Sequence, residues 1–532
     1  MSDLVQRLTT LSKSNNAALL TGILRGIEKE SLRITPDGEL SQEEHPKSLG
    51  STLTHPRITT DYSEALLEFI TEPLGDVKAL LQQLDDIHRF TYANIDSETL
   101  WVSSMPCMLS GNENIPVGLY GSSNIGRMKT VYRLGLGERY GRLMQTIAGI
   151  HYNFSLPDAF WEHLHAEEQS DLSLQDFKTQ RYFDLIRNFR RYFWILIYLF
   201  GAAPAVCRSF VRDQEHQLEP YGDDKHSLHL PYGTSLRMGN LGYQSAAQEK
   251  LIVCYNNLGT YIRTLCNAIT DEHPDYSSIG LKADDGGHKQ LNTSLLQIEN
   301  EFYSTIRPKR TSQSGETALN ALADRGVEYI EVRCVDLNPY EPLGINEEQI
   351  RFLDSFLMYC LYKDSPATDK QEFHNVLENQ TRIVARGRDP ELKLLCGDGE
   401  RDMRQWATEI LGEMGAAAEL LDQAYGSSEH ADSLAAQADK LENPDTTPSA
   451  RILADMKAQN VTFFRLAMNL SQAHKTHFTE TELSPEKTRE FEAFAKESHA
   501  QQQQIEAQDE GDFESFLAAY YKQYQGCSGS PC

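Results

Sequence analysis

The sequence lacks a hydrophobic run long enough to cross a membrane. Its longest apolar stretch, from Tyr192 to Cys207, covers sixteen residues and contains Gly201 and Pro204, whereas a transmembrane helix needs about 20 consecutive apolar residues. We expect a buried helix in this stretch. The first twenty residues also lack the basic start and apolar segment of a secretory signal. These absences predict a cytoplasmic protein with no membrane partner.

Basic charge is scarce. The 77 aspartates and glutamates outnumber the 50 lysines and arginines, which gives a net charge of -27 and a pI near 5.0. Such a chain is repelled by a phosphate backbone, so we exclude nucleic acid as a partner. The glycine pattern of a phosphate loop is lacking too. In the stretch Gly121 to Thr130, two residues separate the second glycine from Lys129.

Cysteine motifs are also missing. The nine cysteines are an odd number without a C-x-x-C pair, and several of them, such as Cys254 and Cys266, lie in apolar segments. This usage is typical of a reducing cytoplasm. At the C-terminus, Cys527 and Cys532 flank a short Ser/Gly/Pro segment. We expect this tail to be disordered, and a disulfide or a metal site there is the alternative.

Paired carboxylates are the most informative feature that is present. Glu28 and Glu30 are two residues apart, so in an extended segment both side chains leave the same face. At about 4 Å and an effective dielectric constant near 20, their repulsion is roughly 4 kcal/mol, so one must be protonated, both must be paired, or a cation must bind. The alternative is a solvent-facing strand neutralised by Lys29 and Arg33.

Three further segments repeat this pattern. The stretch from Ile150 to Leu156 alternates apolar residues with polar ones and predicts a half-buried strand. The stretch from Val327 to Asp336 predicts another. The stretch from Ile58 to Thr71 fits either a helix or a turn followed by a strand, because its periodicity does not decide. The polar faces of these segments carry His151, Asn153, Ser155, Tyr329, Glu331, Arg333, Asp61 and Glu68.

Together these motifs resemble those of the proteobacterial type of glutamate–cysteine ligase. The resemblance runs in order from about Gly22 to about Arg451, and its segments are 25–33, 58–70, 143–155, 295–303 and 328–333. It implies an ATP-dependent enzyme that joins the γ-carboxylate of L-glutamate to the amine of L-cysteine through a γ-glutamyl phosphate. It also implies an α+β fold, in which an antiparallel sheet forms a curved, funnel-like active site similar to the glutamine synthetase catalytic domain and is wrapped by helices.

The resemblance assigns a metal cluster. Five carboxylates in one region, together with about four negative charges on ATP, require cations. Oxygen ligands with a single imidazole favour Mg²⁺, with Mn²⁺ as a substitute, over zinc. The residues carried over as ligands are Glu28, Glu30, Asp61, Glu68, His151 and Glu331.

Other roles also follow from the resemblance. Arg333 is expected to stabilise the transferred phosphoryl group, with a structural ion pair as the alternative. Arg237 is expected to bind the substrate α-carboxylate, assisted by Gln145 and Asn153. Tyr132, Tyr243 and Tyr303 match positions around the cysteine substrate, although aromatic residues at such positions are more often core residues. Arg307 and Lys309 are expected to hold phosphates, with a solvated loop as the alternative.

The chain changes character near residue 345. We predict a catalytic sheet core over 1–345, a mainly helical part over 346–525 packed on that core, and a tail over 526–532. Helices are predicted over 346–363, 403–425, 450–469 and 484–507. The oligomeric state is left open, with a monomer as the working expectation. Two other functions stay open: a different carboxylate–amine ligase of the same superfamily, and a non-catalytic metal- or nucleotide-binding relative.

Overall fold

The structure is a computed structural model. It describes residues 3–13, 16–106, 108–212, 214–222, 225–242, 248 and 251–525. Three of the residues named above, Tyr243, Cys527 and Cys532, therefore lie outside the described residues.

The strands are antiparallel to their neighbours throughout the sheets. They are β1 (Leu24–Ile34), β2 (Ile58–Thr60), β3 (Leu66–Ile70), β4 (Thr99–Leu100), β5 (Ile150–Ser155), β6 (Ala205–Cys207), β7 (Glu219–Pro220), β8 (Ser227–His229), β9 (Ile306–Lys309), β10 (Tyr329–Val335), β11 (Lys393–Cys396) and β12 (Gly399–Asp402). The main sheet has the order β2-β3-β1-β5-β10-β9, with β4 also paired to β1. Two small sheets, β6-β8-β7 and β11-β12, lie apart from it.

The helices fill the sequence between these strands and most of the chain after β10. They are α1 (Asp3–Lys13), α2 (Val77–Tyr92), α3 (Asn124–Tyr140), α4 (Asp158–Glu167), α5 (Leu174–Tyr192), α6 (Trp194–Phe200), α7 (Leu258–Thr270), α8 (Pro274–Ile279), α9 (Ala318–Arg325), α10 (Glu347–Tyr362), α11 (Lys370–Arg386), α12 (Met403–Tyr425), α13 (Glu429–Glu442), α14 (Pro448–Gln459), α15 (Phe463–Thr479), α16 (Pro485–Gln508) and α17 (Phe513–Lys522).

Strand β1 is buried on both faces, which makes the solvent-facing alternative for this segment wrong. Glu28 and Glu30 leave one face, while Lys29 leaves the other and is only 6% exposed. The Nζ atom of Lys29 lies 2.6 Å from Nε2 of His88 on α2. Lys29 therefore does not neutralise the two glutamates, since it is directed to the opposite side of the sheet.

The ambiguous segment from Ile58 to Thr71 is a β-hairpin. Strands β2 and β3 pair with Ile58 opposite Phe69 and Thr59 opposite Glu68. The backbone N–H of Leu66 donates to the carbonyl of Ser63 in the connecting turn. Of the two alternatives that the periodicity left open, the turn followed by a strand is confirmed.

The helices predicted after residue 345 are present, with one difference. Helix α12 spans the predicted range 403–425, and α10 and α16 match theirs within about two residues. The predicted helix over 450–469 is instead two helices, α14 and α15. Asn460 follows α14 with a positive φ of 52°, and its left-handed conformation ends the helix. The division of the chain into 1–345 and 346–525 stays a prediction.

The apolar stretch from Tyr192 to Cys207 contributes the short buried helix α6 and strand β6. Within the part of the chain that the structure describes, the helices fall short of the length and hydrophobicity that crossing a membrane requires. Cys254 and Cys266 are disulfide-bonded, which differs from the reduced state we expected from the cysteine pattern. Cys334 and Cys360 are free and buried.

Candidate active site

A cluster of one imidazole and two carboxylates lies on three adjacent strands of the main sheet. Glu28 on β1 is the register partner of His151 on β5, and β10 places Glu331 opposite Asn153. One ligand atom from each of Glu28, His151 and Glu331 lies within 4.8 Å of the others. The period-2 alternation of three neighbouring strands therefore brings together residues that are far apart in the sequence.

Two further predicted ligands extend this cluster toward the hairpin. Glu30 faces Glu68 across β1 and β3, and its Oε1 lies 3.5 Å from Nε2 of His151. Its other carboxylate oxygen accepts a 2.6 Å hydrogen bond from the backbone N–H of Gly149. His151 thus stands between the two glutamates, because its Nδ1 lies 3.1 Å from Oε2 of Glu28.

Asp61 completes the set from the turn between β2 and β3. Its backbone carbonyl accepts a hydrogen bond from the Tyr120 hydroxyl at 2.9 Å and one from Nε of Arg133. Asp61 and Glu30 line the same cavity. All six predicted ligands are therefore on one side of the main sheet, with Glu28, His151 and Glu331 at the centre.

The two ends of this site differ in charge. At one end, Lys309 and Arg333 each place a nitrogen 3.2 Å from the Glu331 carboxylate. Although burial opposes it, these cations hold the pKa of Glu331 well below its usual range. At the other end, burial and the neighbouring Glu28, Asp61 and Glu30 raise the pKa of Glu68 well above its usual range. Burial also raises the pKa of Glu30.

The carboxylate-rich end fits a divalent cation. Among the described residues, the ion pairs of Glu28 and Glu30 involve only His151. The Nε2 atom of His151 and the Oδ1 atom of Asn153 are buried without a hydrogen-bond partner, and such atoms are unusual unless a ligand satisfies them. Carboxylate oxygens with one imidazole suit Mg²⁺ or Mn²⁺. The residues present therefore fit the predicted metal.

A cavity of about 100 Å³ opens beside Glu30 and Asp61. Four of the predicted substrate residues line it, and so does Arg333. These four are Arg237, Gln145, Tyr132 and Tyr303. Asn153 lies instead at the cluster, where its Nδ2 donates to Oε1 of Glu28 at 2.9 Å. The structure thus brings most of the predicted substrate residues together on the Glu30 side of the cluster.

Arg237 is the most constrained residue of this cavity. Its side chain is about 1% exposed, and its Nη2 donates to the backbone carbonyl of Arg333 at 2.8 Å. Its Nη1 lies 3.7 Å from the buried carboxylate of Asp336. The absent side chain of Gly149 leaves the space that the guanidinium occupies, since a Cβ there would lie 2.1 Å from Nη2 of Arg237. Glycine at position 149 therefore allows Arg237 to approach β5 closely.

Tyr132 and Tyr303 are the two tyrosines of the predicted cysteine pocket that the structure describes, and both form part of a polar wall. The Nε2 atom of Gln145 donates to the Tyr303 hydroxyl at 3.0 Å, and the backbone N–H of Tyr303 donates to Oε1 of Gln248. Tyr132 is half-buried in α3, and its backbone carbonyl accepts from Gln297. Tyr303 and Tyr132 are therefore not simple core residues, because both line the cavity.

Arg307 and Lys309 belong to edge strand β9, so the solvated-loop alternative is wrong. Lys309 contacts the cluster, because its Nζ lies 3.2 Å from Oε1 of Glu331. Arg307 is 7% exposed and uses Nη2 to donate to the carbonyls of Asn300 and Phe302 at 2.8 and 2.6 Å. Its role in holding phosphates stays a prediction, whereas its support of the 300–302 turn is observed.

Arg133 is a cavity residue that the sequence reasoning missed. It follows Tyr132 on α3, stacks 4.3 Å from the ring centroid of Tyr120, and lines the cavity next to Asp61. Only its position beside Tyr132 could have indicated it, because its contact with Asp61 joins residues that are 72 positions apart.

Comparisons with known proteins identify the family of the chain. The family model for glutamate–cysteine ligase matches residues 8–383. Glutamate–cysteine ligases from Saccharophagus degradans and Alcanivorax borkumensis are 55% and 51% identical over 518 and 525 residues, which cover 97% and 98% of this chain and 98% and 100% of those proteins.

Solved structures match as well. A crystal structure of glutamate–cysteine ligase from Francisella tularensis in complex with AMP has a TM-score of 0.89 and 36% identity, and covers 95% of this chain and 98% of that one. A bifunctional glutathione synthetase from Pasteurella multocida, at 23% identity and a TM-score of 0.72, covers 92% of this chain and 58% of that one and shows the fold alone.

The mixed fold and the matched sequences define the class of the protein as an ATP-dependent ligase. The chain belongs to the glutamate–cysteine ligase family. The resemblance drawn from the motifs is thereby confirmed, as is the part of the fold prediction that combines helices with an antiparallel sheet.

Proposed function

We propose that this enzyme joins the γ-carboxylate of L-glutamate to the amine of L-cysteine with ATP, the first step of glutathione synthesis. The observation that carries this proposal is the juxtaposition of the Glu28–His151–Glu331 cluster with a cavity lined by Arg237 and Tyr303. The cluster suits a metal–triphosphate and the cavity suits an amino acid. The relative from Francisella tularensis has AMP bound, which agrees with a nucleotide substrate.

The reaction has two steps. A γ-carboxylate oxygen of glutamate bonds to the γ-phosphorus of ATP while the bond to the β,γ-bridging oxygen breaks, so ADP leaves. The cysteine amine then attacks the acyl carbon, the bond to the phosphate oxygen breaks, and the amine loses a proton. Phosphorylation makes the carboxylate oxygen a good leaving group, so no nucleophile from the enzyme is required. Catalysis then depends mostly on positioning and charge neutralisation.

The metal ligands in this proposal are Glu28, Glu30, Asp61, Glu68, His151 and Glu331. Bound Mg²⁺, or Mn²⁺ in its place, would offset the carboxylate charge and stabilise charge on the transferred phosphoryl group. The register of the strands places these ligands side by side, since Glu28 faces His151 and Glu30 faces Glu68 across adjacent strands.

Arg333 and Lys309 act on the phosphate in this proposal. The Nη1 atom of Arg333 lies 3.2 Å from Glu331 and 3.3 Å from Nδ1 of His151, at the border between the cluster and the cavity. A guanidinium in this position can donate two parallel hydrogen bonds to phosphoryl oxygens. Lys309, on the opposite side of Glu331, contributes a point charge to the same region, and Arg307 supports it from the neighbouring position.

Substrate recognition belongs to the cavity. Arg237 binds the glutamate α-carboxylate, and Gln145 and Asn153 assist. The cysteine side chain is placed among Tyr132, Tyr303 and Tyr243, the last of which lies outside the described residues. We also propose that the main sheet curves into a funnel like that of the glutamine synthetase catalytic domain. The protein is further proposed to be cytoplasmic and monomeric.

Release of ADP with different amines tests the proposed function. Turnover should require glutamate, a divalent cation and an amine, and cysteine should clearly exceed ammonia. 2-Aminobutyrate should also react, with weaker recognition, because no step uses the thiol chemically. Equal or better turnover with ammonia would assign the enzyme to the glutamine-forming class, and no ADP release with any amine would favour a non-catalytic relative.

A further inference from the structure

A second cleft shares Tyr303 with the cavity described above. One section of about 560 Å³ runs between α5, α11 and the segment that leads into β9, and a second section of about 740 Å³ continues toward α7. Both sections are lined by Arg190, Leu251 and Phe373, so these residues stand at the junction. Each section falls within the range of volumes of small-molecule sites.

Arg190 is the polar group at this junction. Its guanidinium carbon lies 4.4 Å from the ring centroid of Tyr255 and 5.3 Å from that of Phe373. Within the part of the chain that the structure describes, these aromatic rings are its contacts, and its nitrogens donate to no side chain or carbonyl. The nearby Glu372 is engaged by Arg191. A guanidinium with five donors is therefore half-buried without an acceptor.

The surroundings of Arg190 differ from those of the arginines next to it in the chain. Burial lowers the pKa of Arg190 from its usual range, although Tyr255 and Glu372 act in the opposite direction. Both neighbouring arginines have hydrogen-bond acceptors, since Arg187 donates to the carbonyl of Asn256 and Arg191 donates to the carboxylate of Glu372. Arg190 is half-buried and has no hydrogen-bonded counter-charge among the described residues, and an anionic ligand would supply one.

We propose that the cleft at Arg190 binds a small carboxylate that carries an apolar body. The carboxylate would accept two hydrogen bonds from the guanidinium, which lies against the rings of Tyr255 and Phe373. The apolar body would contact the wall formed by Phe193, Phe302 and Leu377. The rest of this section is lined by polar as well as apolar residues, and its acidic residue, Glu378, is paired with Arg382. The site is separate from the substrate cavity and shares Tyr303 with it.

Calorimetric titration of the full-length protein with phenylacetate tests the proposal, since this probe combines a carboxylate with an aromatic body. Phenylacetamide has the same body without charge, and inorganic phosphate has charge without the body. We expect phenylacetate to bind at least tenfold more tightly than either. Saturating glutamate should not displace it, because the substrate cavity is a different site.

Three variants locate the binding. Arg190→Gln should weaken phenylacetate binding at least tenfold, whereas Arg465→Gln, which removes an equal charge from an exposed position on α15, should leave it unchanged. If Arg190→Gln fails to fold, Leu377→Glu provides an independent test, because it adds a competing carboxylate to the half-buried wall of the cleft. It should abolish binding without disturbing the melting temperature.

Several results would overturn the proposal. Equal phenylacetate affinity in wild type and Arg190→Gln would show that the arginine is not the anchor. Displacement by glutamate would place the probe in the substrate cavity. Phosphate binding that depends on Arg190, without binding of phenylacetate, would make this a site for inorganic anions and would reject the apolar body.

Discussion

The guanidinium of Arg237 occupies the space that a side chain at position 149 would fill. A Cβ on Gly149 would lie 2.1 Å from Nη2 and 2.4 Å from the guanidinium carbon. Arg237 cannot easily withdraw, because its Nη2 donates to the carbonyl of Arg333 and Asp336 lies at 3.7 Å. Gly149 also donates its N–H to Glu30. One glycine therefore borders both the cluster and the substrate cavity.

Gly149→Ala should displace Arg237 and raise the KM for glutamate by roughly tenfold or more, because small misplacements of positioning groups are costly. Overpacking should also lower stability by about 1–3 kcal/mol. The matched control is Gly412→Ala on α12, where the added methyl meets no atom within 4 Å apart from the helix's own backbone. This control should keep wild-type kinetics and be as stable or more so. A wild-type KM in Gly149→Ala would remove Arg237 from glutamate binding.

Arg333→Lys keeps the charge of the side chain but loses its planar fork. If Arg333 contacts the phosphoryl group mainly in the transition state, kcat should fall roughly a hundredfold, equivalent to about 2.7 kcal/mol, with little change in the KM for ATP. The melting temperature should be nearly unchanged. These quantities are measured on one preparation by steady-state kinetics and thermal unfolding.

The control for this variant is Arg310→Lys. Arg310 donates to the carbonyl of Gly326 and to Gln175, so its replacement should reduce stability and leave kcat near wild type. If Arg333→Lys behaves in the same way, Arg333 forms only a structural ion pair with Glu331.

Glu28→Gln should weaken metal activation. Glu28 lies in the centre of the cluster with His151 and Glu331, and its amide replacement removes one charge while preserving shape. We expect the Mg²⁺ concentration for half-maximal activity to rise roughly tenfold or more, with partial rescue at high Mg²⁺.

Glu64→Gln serves as its control from the neighbouring turn. The Glu64 carboxylate accepts hydrogen bonds from the backbone N–H groups of His45 and Leu119, outside the cluster. This change should affect stability without altering the Mg²⁺ requirement. An unchanged Mg²⁺ requirement in Glu28→Gln would exclude Glu28 as a metal ligand.

Local periodicity predicted much of the fold. The alternation from Ile150 to Leu156 predicted β5, and the helical pattern over 403–425 predicted α12, because each segment has one consistent pattern of apolar residues. The hairpin at Ile58–Ile70 could not be predicted in the same way. Its acidic residues Asp61 and Glu68 are seven apart, a spacing that suits a helix as well as a turn and strand.

The candidate site was predicted only where residues alternate along a strand or match a family motif. Glu28, His151 and Glu331 could be found because each lies on the polar face of a recognisable strand. Arg133 could not, since its contacts with Asp61 and Tyr120 depend on how α3 packs against the hairpin. The burial of Lys29 likewise could not be predicted from β1 alone, because His88, which contacts it, lies on α2.

Buried neutral histidines should make stability depend on pH. Burial, with Arg57 and His499, lowers the pKa of His55 to about 4, and burial, with Lys29 and His477, lowers that of His474 to about 4. Both values lie below the unfolded value of about 6.5, so the unfolded chain binds more protons as the pH falls. This contribution is fully present above about pH 6.5 and is lost as the pH falls toward 4.

Between pH 7 and pH 5, each of these histidines should lower the free energy of unfolding by up to about 2 kcal/mol. Urea unfolding at both pH values measures the change. His474→Gln and His55→Asn should each reduce it, and asparagine at position 55 can still accept the hydrogen bonds that the backbone N–H groups of Arg57 and Ile58 donate to Nδ1. His216→Gln, at an exposed position, should leave the change as in wild type. If neither buried variant reduces it, these two histidines do not cause the acid sensitivity.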